Sequence, residues 1–173
     1  MARAVAGVCA IVVMGVSGAG KSTVGRLIAA RLGCPFRDAD SFHPPANIEK
    51  MRRGEPLSDA DRWPWLRAIA DWIERQRDAG TTGVVTCSAL KRAYRDVVTA
   101  NQAADVRLVY LKGDFALIEG RLKARTGHFM PAALLQSQFD ALEQPAAEER
   151  AIVASIDATP DAIADRIVRE ITD

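Results

Sequence analysis

Residues 15–22 read GVSGAGKS and match the pattern G-x-x-x-x-G-K-[ST]. The apolar run Val8 to Met14 precedes them directly. A helical pattern follows, with apolar residues at Val24, Leu27, Ile28 and Leu32. In this order, a buried strand leads through a glycine-rich turn to the beginning of a helix. The backbone amides and the positive end of the helix dipole then point at one place. The stretch therefore predicts a loop that binds phosphate.

Each part of this loop has an expected role toward a nucleoside triphosphate. The amides of residues 18–22 converge on phosphate oxygens. Lys21 supplies a mobile cation for the β- and γ-phosphates, and the Ser22 hydroxyl supplies an oxygen ligand for Mg²⁺. The predicted nucleotide-binding residues are Gly15, Val16, Ser17, Gly18, Ala19, Gly20, Lys21, Ser22 and Thr23.

The composition restricts the class of protein. A length of 173 residues, with 49% hydrophobic and 26% charged residues, is typical of one soluble globular domain. A net charge of +1 predicts no nucleic-acid or membrane partner. Cys9, Cys34 and Cys87 form no C-x-x-C pair, which favours a reducing cytoplasm. The N-terminal apolar run resembles a secretory signal, but cleavage would remove the first strand, so we reject that interpretation.

Strand-like runs alternate with helical patterns along the chain. The predicted strands are Val8 to Met14, Pro35 to Arg37, Val84 to Cys87, Val106 to Leu111 and Ala151 to Ile156. The alternation predicts an α/β fold, a three-layer P-loop NTPase sandwich with a parallel sheet between helices. Right-handed crossovers place the loops after these strands at one edge, where ligands are expected.

Two segments depart from the alternation. Residues 41–61 are polar and rich in proline, which predicts an excursion from the core in which only Ile48 to Arg53 is helical. A longer helix follows, with Asp61 as the expected N-cap and Pro64 in its first turn. Residues 121–131 read RLKARTGHFMP and form a basic, hinged segment that can close over phosphates.

A pair of carboxylates follows the second predicted strand. In an extended segment, residues two apart point to the same side, so Asp38 and Asp40 can both face the γ-phosphate. One can assist Mg²⁺ while the other accepts a proton from an attacking hydroxyl. The alternative is a pair of solvated acids at a loop entrance.

Basic residues occur at two further positions. Arg121 and Arg125 are spaced i, i+4, so they either converge on a transferring phosphoryl group or form a solvated helix end. The stretch CSALKRAYRD, residues 87–96, follows the third predicted strand. It carries Ser88 and the basic residues Lys91, Arg92 and Arg95. Three cations there suit an acidic substrate, and a helix with solvated basic residues is an equal alternative.

Two absent motifs narrow the class further. The chain has no N-K-x-D guanine-reading motif, which weakens a small-GTPase interpretation. No predicted strand ends in a Walker B carboxylate of the motor-ATPase type, because the third strand, Val84 to Cys87, is followed by Ser88. Asp38 must then serve the metal from the second strand, which is typical of small-metabolite kinases.

Taken together, these motifs resemble the gluconokinases, a family in the shikimate-kinase-like group of P-loop kinases. The resemblance runs nearly end to end and rests on GVSGAGKST, DADSFHPPANIEKMRRGEPLSDADRWPWL, CSALKRAYRD, YLKGDF, RLKARTGHFMP and LLQSQFDALEQP. It implies a single domain over residues 1–173 with five parallel strands, a substrate-binding excursion at about 41–78 and a lid at about 121–131. It also implies a homodimer.

The resemblance further implies transfer of the ATP γ-phosphoryl group, with Mg²⁺, to the 6-hydroxyl of D-gluconate. Asp40 matches the base or substrate-orienting carboxylate, and Asp38 the metal-side acid. The catalytic residues that the resemblance implies are Asp40, Lys21 and the two lid arginines, Arg121 and Arg125. The residues expected around the substrate are His43, Arg53, Arg62, Ser88, Lys91, Arg92 and His128. Adenine is expected near Arg121 and around Asp157 to Pro160.

Two alternatives stay open at this point. One is a kinase for another small hydroxy-acid such as shikimate. The other is a nucleotide-dependent switch whose hydrolysis only toggles a partner.

Overall fold

The computed structural model describes residues 4–125 and 132–173. Its central sheet consists of β1 (Ala10–Met14), β2 (Phe36–Asp38), β3 (Gly83–Thr86), β4 (Val106–Lys112) and β5 (Ile152–Ser155). All neighbouring strands are parallel, in the order β2-β3-β1-β4-β5. The predicted five-stranded parallel sheet is confirmed, with strand ends shifted by one or two residues.

Helices cover both faces of the sheet. They are α1 (Lys21–Leu32), α2 (Pro45–Arg52), α3 (Asp59–Asp78), α4 (Arg92–Val98), α5 (Phe115–Ala124), α6 (Ala132–Ala141) and α7 (Pro160–Thr172). None of the helices in the described part of the chain combines the length and apolarity needed to cross a bilayer.

The central strand shows how the layers form. Because side chains alternate along a strand, Ile11 and Val13 pack with residues of α1, α5, α6 and α7, whereas Val12 and Met14 pack with residues of α3 and α4. All four side chains are fully buried. An apolar cluster therefore lies on each face, and the predicted three-layer α/β architecture is confirmed.

The helix after the excursion begins earlier than predicted. Ser58 is its N-cap: the Ser58 hydroxyl accepts a hydrogen bond from the Asp61 amide at 3.2 Å, and the Asp61 carboxylate accepts one from the Ser58 amide at 2.9 Å. This reciprocal capping box satisfies two amides that lack helical partners, so the prediction of Asp61 as the cap is wrong. Pro64 consequently lies inside the helix rather than in its first turn.

Asp61 also connects the excursion to α3. The Lys50 ammonium of α2 donates to its carboxylate at 2.8 Å. This bond, together with those from Ser58, lowers the pKa of Asp61 to about 2. The carboxylate therefore stays charged at neutral pH and ties α2 to the start of α3.

Candidate active site

The phosphate loop joins β1 to α1 at the carboxyl edge of the sheet. Gly18 and Gly20 have φ values of 84° and 91°, in the left-handed region that favours glycine. A Cβ atom on Gly18 would also lie 2.8 Å from Cγ of Leu122 on α5. Glycine is therefore required here for its backbone conformation and for its lack of a side chain.

Lys21 lies over this loop. Its ammonium donates to the carbonyl oxygens of Gly15 at 2.9 Å and Val16 at 3.1 Å. The pKa of Lys21 is lowered because the surrounding residues remove its ammonium from water. The first amides of α1 have no acceptor within the helix, so they and Lys21 form a cluster of donors suited to phosphate oxygens.

Ser22 and Asp38 meet beside the loop. The Ser22 hydroxyl donates to Oδ2 of Asp38 at 2.6 Å. Hydroxyl and carboxylate oxygens are ligands that Mg²⁺ accepts in nucleotide sites, so this pair fits the metal implied by the phosphate loop.

Asp40 reaches the site by a different local geometry from the predicted one. β2 ends at Asp38, and residues Ala39–Phe42 form a 3₁₀ helix, because Oδ1 of Asp38 accepts the Asp40 amide at 3.0 Å and caps that helix. The prediction of an extended segment is therefore wrong. Both carboxylates nevertheless line one cavity, because the tight turn keeps Asp40 beside the end of the strand.

That cavity, called the phosphate cavity below, has a volume of about 480 Å³. It collects residues from the phosphate loop, the end of β2, the excursion, α3, the end of β3 and α5. The predicted site residues that line it are Ser17, Gly18, Gly20, Lys21, Ser22, Asp38, Asp40, His43, Arg62, Ser88 and Arg125. Most of the predicted site is therefore brought together at one edge of the sheet.

His43 is held on the wall of the phosphate cavity. Its ring stacks on Trp65 with centroids 4.4 Å apart and an interplanar angle of 10°. The Trp65 indole is itself fixed by donating to the Ala39 carbonyl at 2.7 Å. Burial lowers the pKa of His43, so its ring is neutral at neutral pH and can both donate and accept hydrogen bonds.

A second cavity of about 290 Å³ adjoins the first, and we call it the basic cavity. The two share the lining residues Ser17, Arg62, Trp65 and Ser88. Lys91 and Tyr94 line only the basic cavity among these two. The cavities are therefore neighbours, with Ser88 at the end of β3 on the wall of both.

Arg62 and Lys91 form a basic pair in this second cavity. Lys91 Nζ lies 3.6 Å and Arg62 Nη1 lies 3.8 Å from Oδ1 of Asp59, which also accepts the Tyr94 hydroxyl. Both distances exceed those of charge-assisted hydrogen bonds, so each cation keeps donors for another anion. The Tyr94 ring lies 5.5 Å from Lys91 Nζ and supports the pair from one side.

Two predicted substrate residues, Arg53 and Arg92, fall elsewhere. Arg53 is exposed and pairs with Glu55 at 3.2 Å, and Arg92 pairs with Asp96 and Glu148, each at 3.1 Å. Neither arginine lines either cavity, so the structure does not support their predicted place around the substrate. His128 lies outside the described residues.

The two predicted lid arginines do not converge here. Arg125 is the C-cap that follows α5. Its backbone is extended, with φ −77° and ψ 117°, and it lines the phosphate cavity. Arg121 lies within α5 and donates instead to the carbonyl of Ile156, the residue just before the segment expected around adenine. The i, i+4 spacing fails as a guide because the helix ends before Arg125. Thr23 is exposed and lines neither cavity.

Arg95 has a structural role that differs from both alternatives considered for its basic segment, an acidic-substrate site and a solvated helix. It is 1% exposed, and its guanidinium binds the equally buried Glu149 carboxylate at 2.7 and 3.2 Å. Its Nη1 also donates to the carbonyls of Ala89 at 3.0 Å and Leu90 at 3.1 Å. Arg95 thus supports the loop that carries Ser88 and Lys91, in which Ala89 has a φ of 40°.

Some contacts of the site have no local signal in the sequence. Gln138 of α6 forms hydrogen bonds to Ser17 of the phosphate loop, and Glu149 reaches Arg95. These partners are 121 and 54 residues apart in the chain. By contrast, Asp59 and Arg62 are only three residues apart in the chain.

Comparisons with known proteins agree with this geometry. The shikimate kinase family model matches residues 17–172. A gluconokinase of Gluconobacter oxydans is 46% identical over 159 residues, 92% of this chain and 89% of that protein. The crystal structure of a gluconokinase from Sinorhizobium meliloti is 43% identical, covers 98% of this chain and 93% of its own, and superposes with a TM-score of 0.85. A shikimate kinase of Aquifex aeolicus, at 16% identity and a TM-score of 0.59, shares the fold alone.

The two arginines of α4 predict different stabilities on substitution. Arg95→Met leaves the Glu149 carboxylate buried without its partner, so the free energy of unfolding should fall by about 3–5 kcal/mol. Arg92→Met removes the ion pairs of a partly exposed arginine, including the 3.6 Å pair with Glu149, and should cost below about 1 kcal/mol because Arg95 still binds that buried carboxylate. Urea unfolding of both variants measures the difference, and equal losses would contradict the structural role of Arg95.

Proposed function

Because the chain belongs to the gluconokinase family, we propose that it transfers the γ-phosphoryl group of ATP to the 6-hydroxyl of D-gluconate, giving 6-phospho-D-gluconate and ADP. One observation carries the proposal beyond the relatives' names. The phosphate loop and the Asp40 carboxylate line one cavity, and the neighbouring cavity, which shares four lining residues with it, holds a basic pair. A loop that binds the phosphate donor, a carboxylate for a hydroxyl and cations for an acid thus line two adjoining cavities.

The loop side of the phosphate cavity is suited to the triphosphate. The amides at the start of α1 and the Lys21 ammonium would bind the β- and γ-phosphates, and Arg125 would offset charge that develops on the transferred group. Ser22 and Asp38 would hold Mg²⁺, which neutralises charge on the β- and γ-oxygens when bound.

Asp40 is suited to the acceptor hydroxyl. Among the described residues, no hydrogen bond or ion pair engages its carboxylate, which therefore has its oxygens available in the cavity. We assign Asp40 to orient the 6-hydroxyl and to take its proton late, as the oxygen–phosphorus bond forms and the bond to the β-phosphate oxygen breaks.

The basic pair is suited to the carboxylate at the other end of gluconate. An open-chain sugar acid carries its anion and its terminal hydroxyl at opposite ends, as Lys91 and Asp40 are distributed between the two cavities. His43, as a neutral ring, lines the same cavity as Asp40, and Ser88 lines both cavities, so both can bind intermediate hydroxyls. The arrangement favours an elongated, acidic acceptor.

We extend the proposal to the setting in which the protein acts. Three free cysteines are compatible with a reducing cytoplasm. The homodimer, the single domain over residues 1–173 and the closure of residues 121–131 over the phosphates are proposals supported by the family resemblance.

A panel of acceptors tests the assignment of the substrate. With ATP and Mg²⁺, ADP release in a coupled assay should be stimulated far more by D-gluconate than by shikimate or neutral D-glucose, because only gluconate combines the anion with an extended chain. A preference for shikimate would replace the acceptor. Slow ADP release that no acceptor stimulates would favour the nucleotide-dependent switch.

Asp40→Asn tests the proton acceptor. An amide can still accept a hydrogen bond from the hydroxyl but cannot take its proton, so kcat should fall by about 10²- to 10⁴-fold. The affinity for ADP, measured by calorimetry, should change little. Asp71→Asn, on the exposed side of α3, is the matched control and should keep its turnover. Near-normal turnover of Asp40→Asn would remove Asp40 from this role.

Lys91→Met tests recognition of the acid. Loss of one charge-assisted hydrogen bond should raise KM for D-gluconate by roughly tenfold or more, because such bonds contribute about 1.5–3 kcal/mol. KM for ATP should stay constant. Arg92→Met removes the neighbouring cation, which lines neither cavity, and should leave KM for gluconate unchanged. Equal effects of the two variants would indicate general electrostatics instead of a contact.

A further inference from the structure

Gln138 of α6 binds a single residue of the phosphate loop through both ends of its side chain. Its Oε1 accepts a hydrogen bond from the Ser17 amide at 2.8 Å. Its Nε2 donates to the Ser17 hydroxyl at 2.9 Å. Because one bond needs an acceptor and the other a donor, the pair of contacts determines the orientation of the carboxamide. Gln138 and Ser17 are thus joined by a two-point link.

This link holds residues 16–19 of the phosphate loop, which we call the outer limb. Ser17 lines both the phosphate cavity and the basic cavity, and its amide is committed to α6. Two residues later, the Ala19 amide donates to the Val16 carbonyl at 3.2 Å. The limb is therefore held by side-chain and backbone bonds, while the amides at the start of α1 are left to the phosphates.

The helix that presents Gln138 is itself anchored on both sides. Leu135 is 1% exposed in the core, and Phe139 packs against Phe115 of α5 with centroids 5.6 Å apart. Just after α6, the Glu143 amide donates to the Leu90 carbonyl at 2.8 Å. A donor and an acceptor on a helix fixed in this way hold their partner in one position at little entropic cost.

We propose that Gln138 is a positioning residue for nucleotide binding, which holds Ser17 so that the phosphate loop keeps the shape that receives the triphosphate. Gln138 lines the basic cavity and not the phosphate cavity, and Ser17 engages both polar ends of its side chain, so we assign it to act through Ser17 and not on gluconate. The inference rests on the ATP-binding part of the proposed function and is independent of the acceptor. Binding of ADP alone therefore tests it separately from the assignment of gluconate.

The test compares variants on both sides of the link. Gln138→Met keeps the length of the side chain and removes both bonds, so the Kd for ADP and the KM for ATP should rise by roughly tenfold, with KM for gluconate unchanged. Ser17→Ala removes only the hydroxyl bond and should raise the Kd for ADP by about threefold. In the double variant, the added effect of Gln138→Met should be smaller than in the wild type, because the two residues are coupled.

Gln136→Met is the matched control. Gln136 is exposed on the same helix, where its amide donates to Asp140, and its substitution should leave all constants unchanged. A raised KM for gluconate with unchanged ADP binding would assign Gln138 to the acceptor and overturn the proposal. A lowered melting temperature with both constants unchanged would also overturn it, since Gln138 would then only dock α6. Ser17→Ala examines the link from the loop side should Gln138→Met fail to fold.

Discussion

The unpaired amides at the start of α1 are the constraint on which the rest of the site depends. A helix that follows a central buried strand through one short loop leaves these donors at the sheet edge, where a phosphate can satisfy them. The turn between strand and helix closes only with glycine at positions 18 and 20, which have positive φ, and the approach of Leu122 excludes a side chain at Gly18. β3 and β4 flank this strand, so their ends open beside the loop.

The sheet order then decides which residues meet the phosphate. β2 lies two strands away from β1 and is reached through β3, whose end delivers Ser88 to the same cavity. Asp38 ends β2 and contacts Ser22 across this edge. The acceptor side follows from the excursion, which returns to the core through the capping box of α3 and brings His43 and Arg62 to the cavity wall.

Cations close together in the sequence have distinct environments because their burial and their partners differ. Arg95 is enclosed with Glu149, so its charge is used within the protein and its removal would leave a buried carboxylate. Arg92 pairs with acids outside both cavities. Lys91 remains at 3.6 Å from Asp59, a distance that leaves its donors available. A basic segment therefore marks a substrate site only at the position where the protein does not satisfy the charge itself.

The sequence alone determined the phosphate loop, the five strands and the carboxylate pair, because each is encoded by periodicity or by spacing within a few residues. It predicted an extended segment at Asp40, which lies instead in a turn capped by Asp38. It also predicted too late a start for α3, because Ser58 and not Asp61 is the N-cap. Only the tertiary structure decided which cations face the two cavities and that Gln138 holds Ser17. Arg95 and Glu149 are 54 residues apart, and Gln138 and Ser17 are 121 residues apart, so packing of the helices on the sheet sets their approach and leaves no local pattern.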